Sequence, residues 1–102
     1  MEINTRYVLH IPLAKYENGE VVGLEIGEII DDLTSKLDDF YIVRAEGRYR
    51  SRSFDELLIT VFSDDADIGA IFRQWFIRHR DVLAQEKFAY EINNRIIIEE
   101  AG

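Results

Sequence analysis

One histidine in a strand-like setting is the candidate acid or base of this sequence. His10 lies in segment 5–11, where apolar and β-branched residues predict a strand. An imidazole changes charge near neutral pH, so His10 on an open sheet face could move a proton in catalysis. The local sequence supplies no Ser, Cys or paired carboxylate beside it, and hydrogen-bonded packing is the favoured interpretation. His79, on the apolar stripe of a predicted helix, is also interpreted as a packing residue.

Basic and aromatic residues are concentrated in one stretch of an otherwise acidic chain. The residues concerned are Arg44, Arg48, Arg50 and Arg52, with Tyr49 and Phe54 among them. Their guanidinium groups could bind a carboxylate or a phosphate. The favoured alternative is an edge strand whose arginines pair with Glu46, Asp55 and Glu56 and block edge-to-edge association. If the ligand-binding interpretation holds, the residues predicted to bind the ligand are Arg44, Arg48, Arg50 and His10.

Composition excludes several common kinds of site. The 102 residues include no cysteine, which excludes disulfides, zinc–thiolate sites, iron–sulfur clusters and thiol nucleophiles. Gly23, Gly27 and Gly47 lack the spacing of a phosphate-binding loop. The acidic run 64–67 lacks the ligand spacing of a calcium loop and is interpreted as a helix cap. The sequence thus predicts neither a metal nor a cofactor.

The charge balance bears on partners and location. Twenty acidic residues against twelve basic ones give a net charge of -8. That field repels phosphate backbones and anionic lipid surfaces, which argues against nucleic acid as a partner. No apolar run approaches the roughly 20 residues of a membrane-spanning helix, and the N-terminus lacks a secretory signal pattern. The sequence predicts a cytoplasmic protein that contacts no membrane.

Hydrophobic periodicity predicts two helices among several strands. Apolar residues recur every three or four positions over 22–40 and again from 68 to about 85, after capping residues at 63–65. Strands are predicted at 5–11, 41–50, 57–62 and 88–92, and segment 93–99 either extends the last strand or returns as a hairpin. Asn18-Gly19 predicts a turn before the first helix. Trp75, Phe76 and Ile77 are consecutive, so at least one must face away from the core.

The order of these elements predicts an α+β fold. Strand, helix, strand, strand, helix, strand is the order of a ferredoxin-like βαββαβ plait, in which two helices cover one face of an antiparallel sheet. Alternation assigns Tyr7, Leu9, Val43, Ile59, Val61, Tyr90 and Ile92 to the helix side, and Val8, His10, Ile42, Arg44, Leu58, Thr60 and Phe62 to the open side. An open face this apolar predicts either a terminal segment packed over it or a homo-oligomer, and the latter is the favoured prediction. The predicted interface residues are Val8, Leu58, Thr60 and Phe62.

Two stretches carry a family resemblance. LDDFYIVRAEGRYR, followed by ELLITVFSDDADIGAIFRQWFIRHRDVLAQEKFAYEI, resembles a group of small uncharacterised bacterial and phage proteins with plait folds. The resemblance covers about residues 33–92, and Tyr49 stands where that group often has tryptophan. It implies a fold and no particular activity.

With association surfaces and no complete catalytic set, the sequence predicts a non-enzymatic protein-interaction or oligomerisation module, formed by residues 1–102 as a single domain. A further protein partner is compatible with that prediction. The alternative is a dimeric plait enzyme, or a small-anion-binding protein, with a pocket on the open sheet face that uses His10 and Arg44. A deep polar pocket at His10 would favour the enzyme, and a flat, dry interface would favour the module.

Overall fold

A computed structural model describes residues 2–49 and 51–100, without the side chains of Tyr49, Arg52 and Phe54. Within these residues the chain forms two helices and seven strands. The helices are α1 (Gly27–Thr34) and α2 (Ile68–Leu83). The strands are β1 (Arg6–Pro12), β2 (Ala14–Glu17), β3 (Glu20–Gly23), β4 (Phe40–Tyr49), β5 (Arg52–Phe62), β6 (Lys87–Ile92) and β7 (Arg95–Glu100). No helix in the described part of the chain is long and apolar enough to cross a membrane.

Five of the strands form one antiparallel sheet, in the order β4-β5-β1-β6-β7. The prediction of an α+β fold with an antiparallel sheet is confirmed. Side chains from one face of the sheet pack with both helices in a single core, whose sheet residues include Leu9, Ile59 and Tyr90. The other face, called the open face below, carries His10 because alternate residues of a strand point to opposite sides.

The first helix, predicted over 22–40, is too long at both ends, since α1 ends at Thr34 and Phe40 begins β4. Residues 14–23 form the hairpin β2–β3 instead, and α1 begins only at Gly27. Asn18 and Gly19 both have positive φ, 53° and 80°, as the tight turn of a two-residue hairpin requires. The turn signal is therefore confirmed, and it joins two short strands where a loop into a helix was predicted. Val22, assigned to the helical stripe, lies in β3.

The face assignment of the second predicted strand is reversed. Residues that lie opposite each other in an antiparallel pair point to the same side of the sheet. Ile42 lies opposite Ile59 and Val43 opposite Leu58, so Ile42 is on the helix side and Val43 on the open face. Arg44, opposite Leu57, is on the helix side as well. Alternation divides the residues of β4 into two sets that point to opposite sides. Because both sets contain apolar residues, it does not show which set faces the helices.

The C-terminal half of the chain follows the sequence prediction closely. Helix α2 ends at Leu83, followed by Ala84 in a left-handed conformation with φ 54°. Trp75 and Phe76 are buried and Ile77 is 49% exposed, which confirms that one of the three faces outward. Segment 93–99 takes the hairpin alternative, with Asn93 in the turn between β6 and β7.

The polar residues before α2 act differently from the prediction. No side chain caps the first turn of the helix. The Asp65 carboxylate instead accepts a hydrogen bond from the Asp67 backbone N–H at 2.9 Å, and the Ser63 hydroxyl accepts one from the Asp65 N–H at 3.0 Å. Asp64 accepts one from the Asn4 N–H at 3.1 Å. The acidic run thus orders its own loop and ties it to the N-terminal segment.

One polar cluster fastens β7 to α2 and β6. The Arg73 guanidinium donates two hydrogen bonds to Glu99, at 2.6 and 2.7 Å, and the Tyr90 hydroxyl donates one at 3.1 Å. The hydrogen bonds from Arg73 hold the pKa of Glu99 below its usual value. Burial, and then the hydrogen bond to Glu99, raise the pKa of the Tyr90 hydroxyl. The fold therefore favours the ionised form of Glu99 and the neutral form of Tyr90.

Glu99→Gln is expected to lower the free energy of unfolding at pH 7 by about 1 kcal/mol, because a partly exposed charge-assisted hydrogen bond contributes on that order. Since the folded pKa of Glu99 lies below the unfolded value near 4.5, the contribution is present above pH 4.5 and lost as pH falls through the folded pKa. Urea unfolding at pH 7 and pH 3 should show the gap to wild type closing at low pH. Glu100→Gln, on an exposed neighbour of the same strand, is the matched control, and an equal loss in that variant would contradict the argument.

Candidate functional site

His10 lies between two carboxylates on the open face. Its Nε2 is 2.7 Å from Glu91 Oε2, and its Nδ1 is 3.3 Å from Glu56 Oε1. Strand β1 is the middle strand of the sheet and places His10 between β5, which carries Glu56, and β6, which carries Glu91. Arg6, the first residue of β1, lies on the same side of the strand as His10, with its guanidinium 3.8 Å from Glu91 Oε1. These four residues are called the His10 cluster.

The cluster borders a cleft of about 510 Å³ at one end of the sheet. The cleft is bounded by the end of β1, the hairpin β2–β3, the start of β6 and the C-terminal end of α2. Its lining combines an imidazole, acidic and basic groups and aromatic rings: His10, Lys15, Tyr16, Asp55, Glu56, Phe76, Lys87 and Phe88. The side chain of His10 is 25% exposed and that of Glu56 21%, so both remain accessible. The cleft combines a proton-transfer group, both signs of charge and an apolar wall, as small-molecule sites do.

The remaining open face is apolar on both sides of the His10 cluster. Toward β4, Tyr41 and Val43 are exposed and Phe62 packs against Tyr41, with ring centroids 6.2 Å apart. Toward β7, Ile96 and Ile98 are both about two-thirds exposed. Of the predicted interface residues, Val8 and Thr60 are buried within the chain, Leu58 is half-buried and Phe62 is exposed. Association of copies through this face stays a prediction, with Leu58 and Phe62 as the predicted contacts that remain accessible.

The predicted ligand-binding set does not come together. Arg44 lies on the helix side of the sheet, where its guanidinium contacts Asp55 at 2.6 Å, while His10 is on the open face. Arg48 is an exposed residue of the edge strand β4, and Arg50 lies outside the described residues. The pairing with Asp55 is the one expected of an edge strand, whereas Glu56 faces His10. His10 and Arg44 therefore lie on opposite faces of the sheet, and Arg44 does not line the cleft beside His10.

His79 has the packing role assigned to it, with one partner that the sequence did not indicate. Its Nε2 contacts Asp32 of α1 at 2.7 Å, and its ring lies 5.8 Å from that of Trp75. Arg78 and Lys36 also approach Asp32, at 3.3 and 3.5 Å. The hydrogen bond with His79 holds the pKa of Asp32 below its usual value. This group connects the two helices on the side of the sheet opposite the His10 cluster.

Sequence reasoning missed Glu56 and Glu91 as partners of His10. They lie 46 and 81 positions away in the sequence, and only the sheet register brings them to the imidazole. A weak signal is present: Glu91 is a charged residue between two apolar residues of a predicted strand, Tyr90 and Ile92. Since Tyr90 and Ile92 are assigned to the helix side, alternation places Glu91 on the open face, where His10 also lies.

Comparison with known proteins gives a likeness of fold. No protein-family model and no curated protein matches the chain. The chain is similar to a solved phage SAM lyase in complex with S-methyl-5′-thioadenosine, with a TM-score of 0.64 and 14% identity over 95% of this chain and 89% of that chain. It is similar in the same degree to a phage SAM lyase in the apo state, with a TM-score of 0.65 and 15% identity over the same shares. The predicted resemblance to phage proteins is thus supported at the level of fold, and no family is assigned.

The comparison corrects the leading prediction of function. A non-enzymatic interaction or oligomerisation module was predicted because no catalytic set was visible in the sequence. The solved structures that share the fold are those of an enzyme, and one of them holds a small-molecule ligand. The leading prediction is therefore wrong, and its alternative, a dimeric plait enzyme or a small-anion-binding protein with a pocket on the open face, is better supported. Of the two residues named for that pocket, only His10 lies on the open face.

Proposed function

We propose that this chain is a small-molecule enzyme that binds a sulfonium nucleoside in the His10 cleft and breaks one of its carbon–sulfur bonds, as a lyase acting on S-adenosylmethionine does. The observation that carries the proposal is the imidazole held between two carboxylates beside a 510 Å³ cleft. The likeness over 95% of this chain to a phage SAM lyase suggests the substrate class.

The cleft offers a complementary group for each part of such a substrate. The sulfonium carries a positive charge, and Asp55 and Glu56 line the cleft. The substrate's carboxylate can pair with Lys15 or Lys87, which lie in the same lining. Tyr16 lines the cleft and is 49% exposed, so its ring adds aromatic surface against which adenine can pack. The sulfonium and the carboxylate of the substrate thereby each meet groups of opposite charge within one site.

The reaction determines which of these groups contributes to rate. Cleavage to S-methyl-5′-thioadenosine breaks the bond between sulfur and Cγ of the amino-acid part, and the bonding electrons stay on sulfur, which becomes neutral. Because the charge on sulfur falls along the reaction, carboxylates near it stabilise the bound substrate more than the transition state. We therefore assign Asp55 and Glu56 to affinity rather than to rate.

His10 acts as the general base, and this proton transfer is the contribution of the site to the reaction rate. Its imidazole takes a proton from Cβ while the sulfur–Cγ bond breaks, and the Cβ–H electrons form a Cβ–Cγ double bond. The products are S-methyl-5′-thioadenosine, a four-carbon amino acid with a terminal alkene, and an imidazolium held between Glu56 and Glu91. If the substrate's own carboxylate attacked Cγ instead, the product would be a lactone and no base would be needed.

The test is incubation of the purified chain with S-adenosylmethionine and detection of both products by liquid chromatography and mass spectrometry. The expected result is release of S-methyl-5′-thioadenosine well above a sample without protein, together with the alkene. A rate equal to that of the protein-free sample would overturn the proposed function. Release together with the lactone would uphold the lyase and remove the proton-transfer role from His10.

We also infer that the fold is a ferredoxin-like plait and that residues 1–102 form one domain. Without the hairpin β2–β3 and strand β7, the elements follow one another as β1, α1, β4, β5, α2 and β6. The remaining strands stand in the order β4-β5-β1-β6, with the first strand of the chain beside the third. The order and the antiparallel pairings support a plait extended by β7 at one edge.

A further inference from the structure

The two ring nitrogens of His10 make contacts of unequal length. Nε2 lies 2.7 Å from Glu91, the length of a short charge-assisted hydrogen bond, whereas Nδ1 lies 3.3 Å from Glu56. A neutral imidazole carries one N–H and donates to one acceptor only. For the neutral ring, the shorter contact favours Nε2–H with Glu91 as acceptor, which leaves the lone pair on Nδ1.

The two carboxylates also differ in what surrounds them. Glu56 lines the cleft together with His10. Glu91 lies on the other side of the ring, opposite Val8 in the register, and its second oxygen faces the Arg6 guanidinium at 3.8 Å. Arg6 therefore offsets part of the charge of Glu91 and helps to hold it in place. The side chains of Glu56 and Glu91 are equally exposed, at 21%, and Glu56 is the one that lines the cleft, where it can turn toward a cation.

From these contacts we propose that Glu91 is a positioning residue that fixes the tautomer of His10 and directs the basic Nδ1 atom toward the cleft. The role in catalysis rests on the proposed function. When the sulfonium enters the cleft, its charge draws Glu56 away from the ring, and Nδ1 becomes free to accept the Cβ proton. Glu91 then stabilises the imidazolium through the hydrogen bond that it already accepts, as the carboxylate of a catalytic triad does.

The experiment compares Glu91→Ala, Glu91→Gln and, as a matched control, Glu28→Gln, an exposed carboxylate on α1. In ¹⁵N spectra recorded above neutral pH, wild type should show one dominant His10 tautomer protonated at Nε2, and Glu91→Ala should show a mixture. The kcat for S-methyl-5′-thioadenosine release should fall roughly 10–100-fold in Glu91→Ala, with KM within about twofold of wild type. Glu91→Gln keeps an acceptor oxygen and should restore most of the tautomer and part of kcat. His79→Gln identifies the His10 signals.

An unchanged His10 tautomer in Glu91→Ala would overturn the proposal, and so would an unchanged kcat accompanied by a mixed tautomer. The spectra need no substrate, so they decide on the contact between Glu91 and His10 even if the wild type releases no product. In that case the proposed function fails while the positioning of His10 stands. If Glu91→Ala does not fold, as judged by circular dichroism, Glu91→Met takes its place, because methionine has a similar length and lacks the acceptor oxygen.

Discussion

His10→Ala is expected to lower kcat for release of S-methyl-5′-thioadenosine from S-adenosylmethionine at least about 100-fold, because proton transfer by a positioned side chain contributes typically 10²–10⁴-fold. The side chain of His10 is only 25% exposed and is held on both sides, at 2.7 and 3.3 Å, so its orientation is fixed before substrate binds. KM should change little, since the charged groups assigned to binding stay in place. The measurement is steady-state kinetics with chromatographic detection of the product.

The control for this variant is His79→Ala, which removes the other histidine of the chain from the opposite side of the sheet. It should keep kcat within about twofold of wild type at a temperature where both variants are folded. Added imidazole should restore part of the activity of His10→Ala, because the truncation leaves space between Glu56 and Glu91. A kcat in His10→Ala within threefold of wild type, together with lactone as the product, would show that the substrate's own carboxylate performs the cleavage.

The placement of His10 could be predicted from the sequence, because it depends on alternation within one strand. Tyr7, Leu9 and Ile11 are apolar and line the core, so the residues between them must face away from the helices. The same local argument predicted α2, whose stripe spans four turns, and the outward direction of Ile77. Helices and strands with a regular spacing of apolar residues and one buried face are the elements that the local sequence predicts best.

The site itself depends on register, which local pattern does not determine. Glu56 and Glu91 reach His10 only because β1 pairs with β5 and β6 in particular alignments. A shift of either strand by one residue would turn the carboxylate to the helix side. The prediction that Arg44 shares a pocket with His10 is wrong for this reason. In the observed register Arg44 lies opposite Leu57 and therefore points to the helix side. Long-range pairing, rather than residue type, decides which groups of this chain share a site.

Trp75→Ala is expected to lower the free energy of unfolding by about 3–5 kcal/mol, the largest stability effect we predict for a single side chain. Trp75 is 1% exposed, and its indole N–H donates a 2.6 Å hydrogen bond to the Ile29 carbonyl of α1. Truncation therefore leaves a cavity between the two helices and removes a contact between them at the same time. Urea unfolding followed by circular dichroism measures the change.

Two variants separate the parts of that effect. Trp75→Phe keeps much of the buried volume and removes the indole N–H, so it should lie between wild type and Trp75→Ala, at a cost of about 1–3 kcal/mol. Ile77→Ala, two positions along the same helix and 49% exposed, should cost less than about 1 kcal/mol. Losses of similar size in Ile77→Ala and Trp75→Ala would show that α2 presents a different face to the sheet.

Trp75→Ala should also weaken substrate binding, because α2 supplies Phe76 to the wall of the cleft and the truncation displaces this helix. The expected result is a higher KM at temperatures where the variant is still folded.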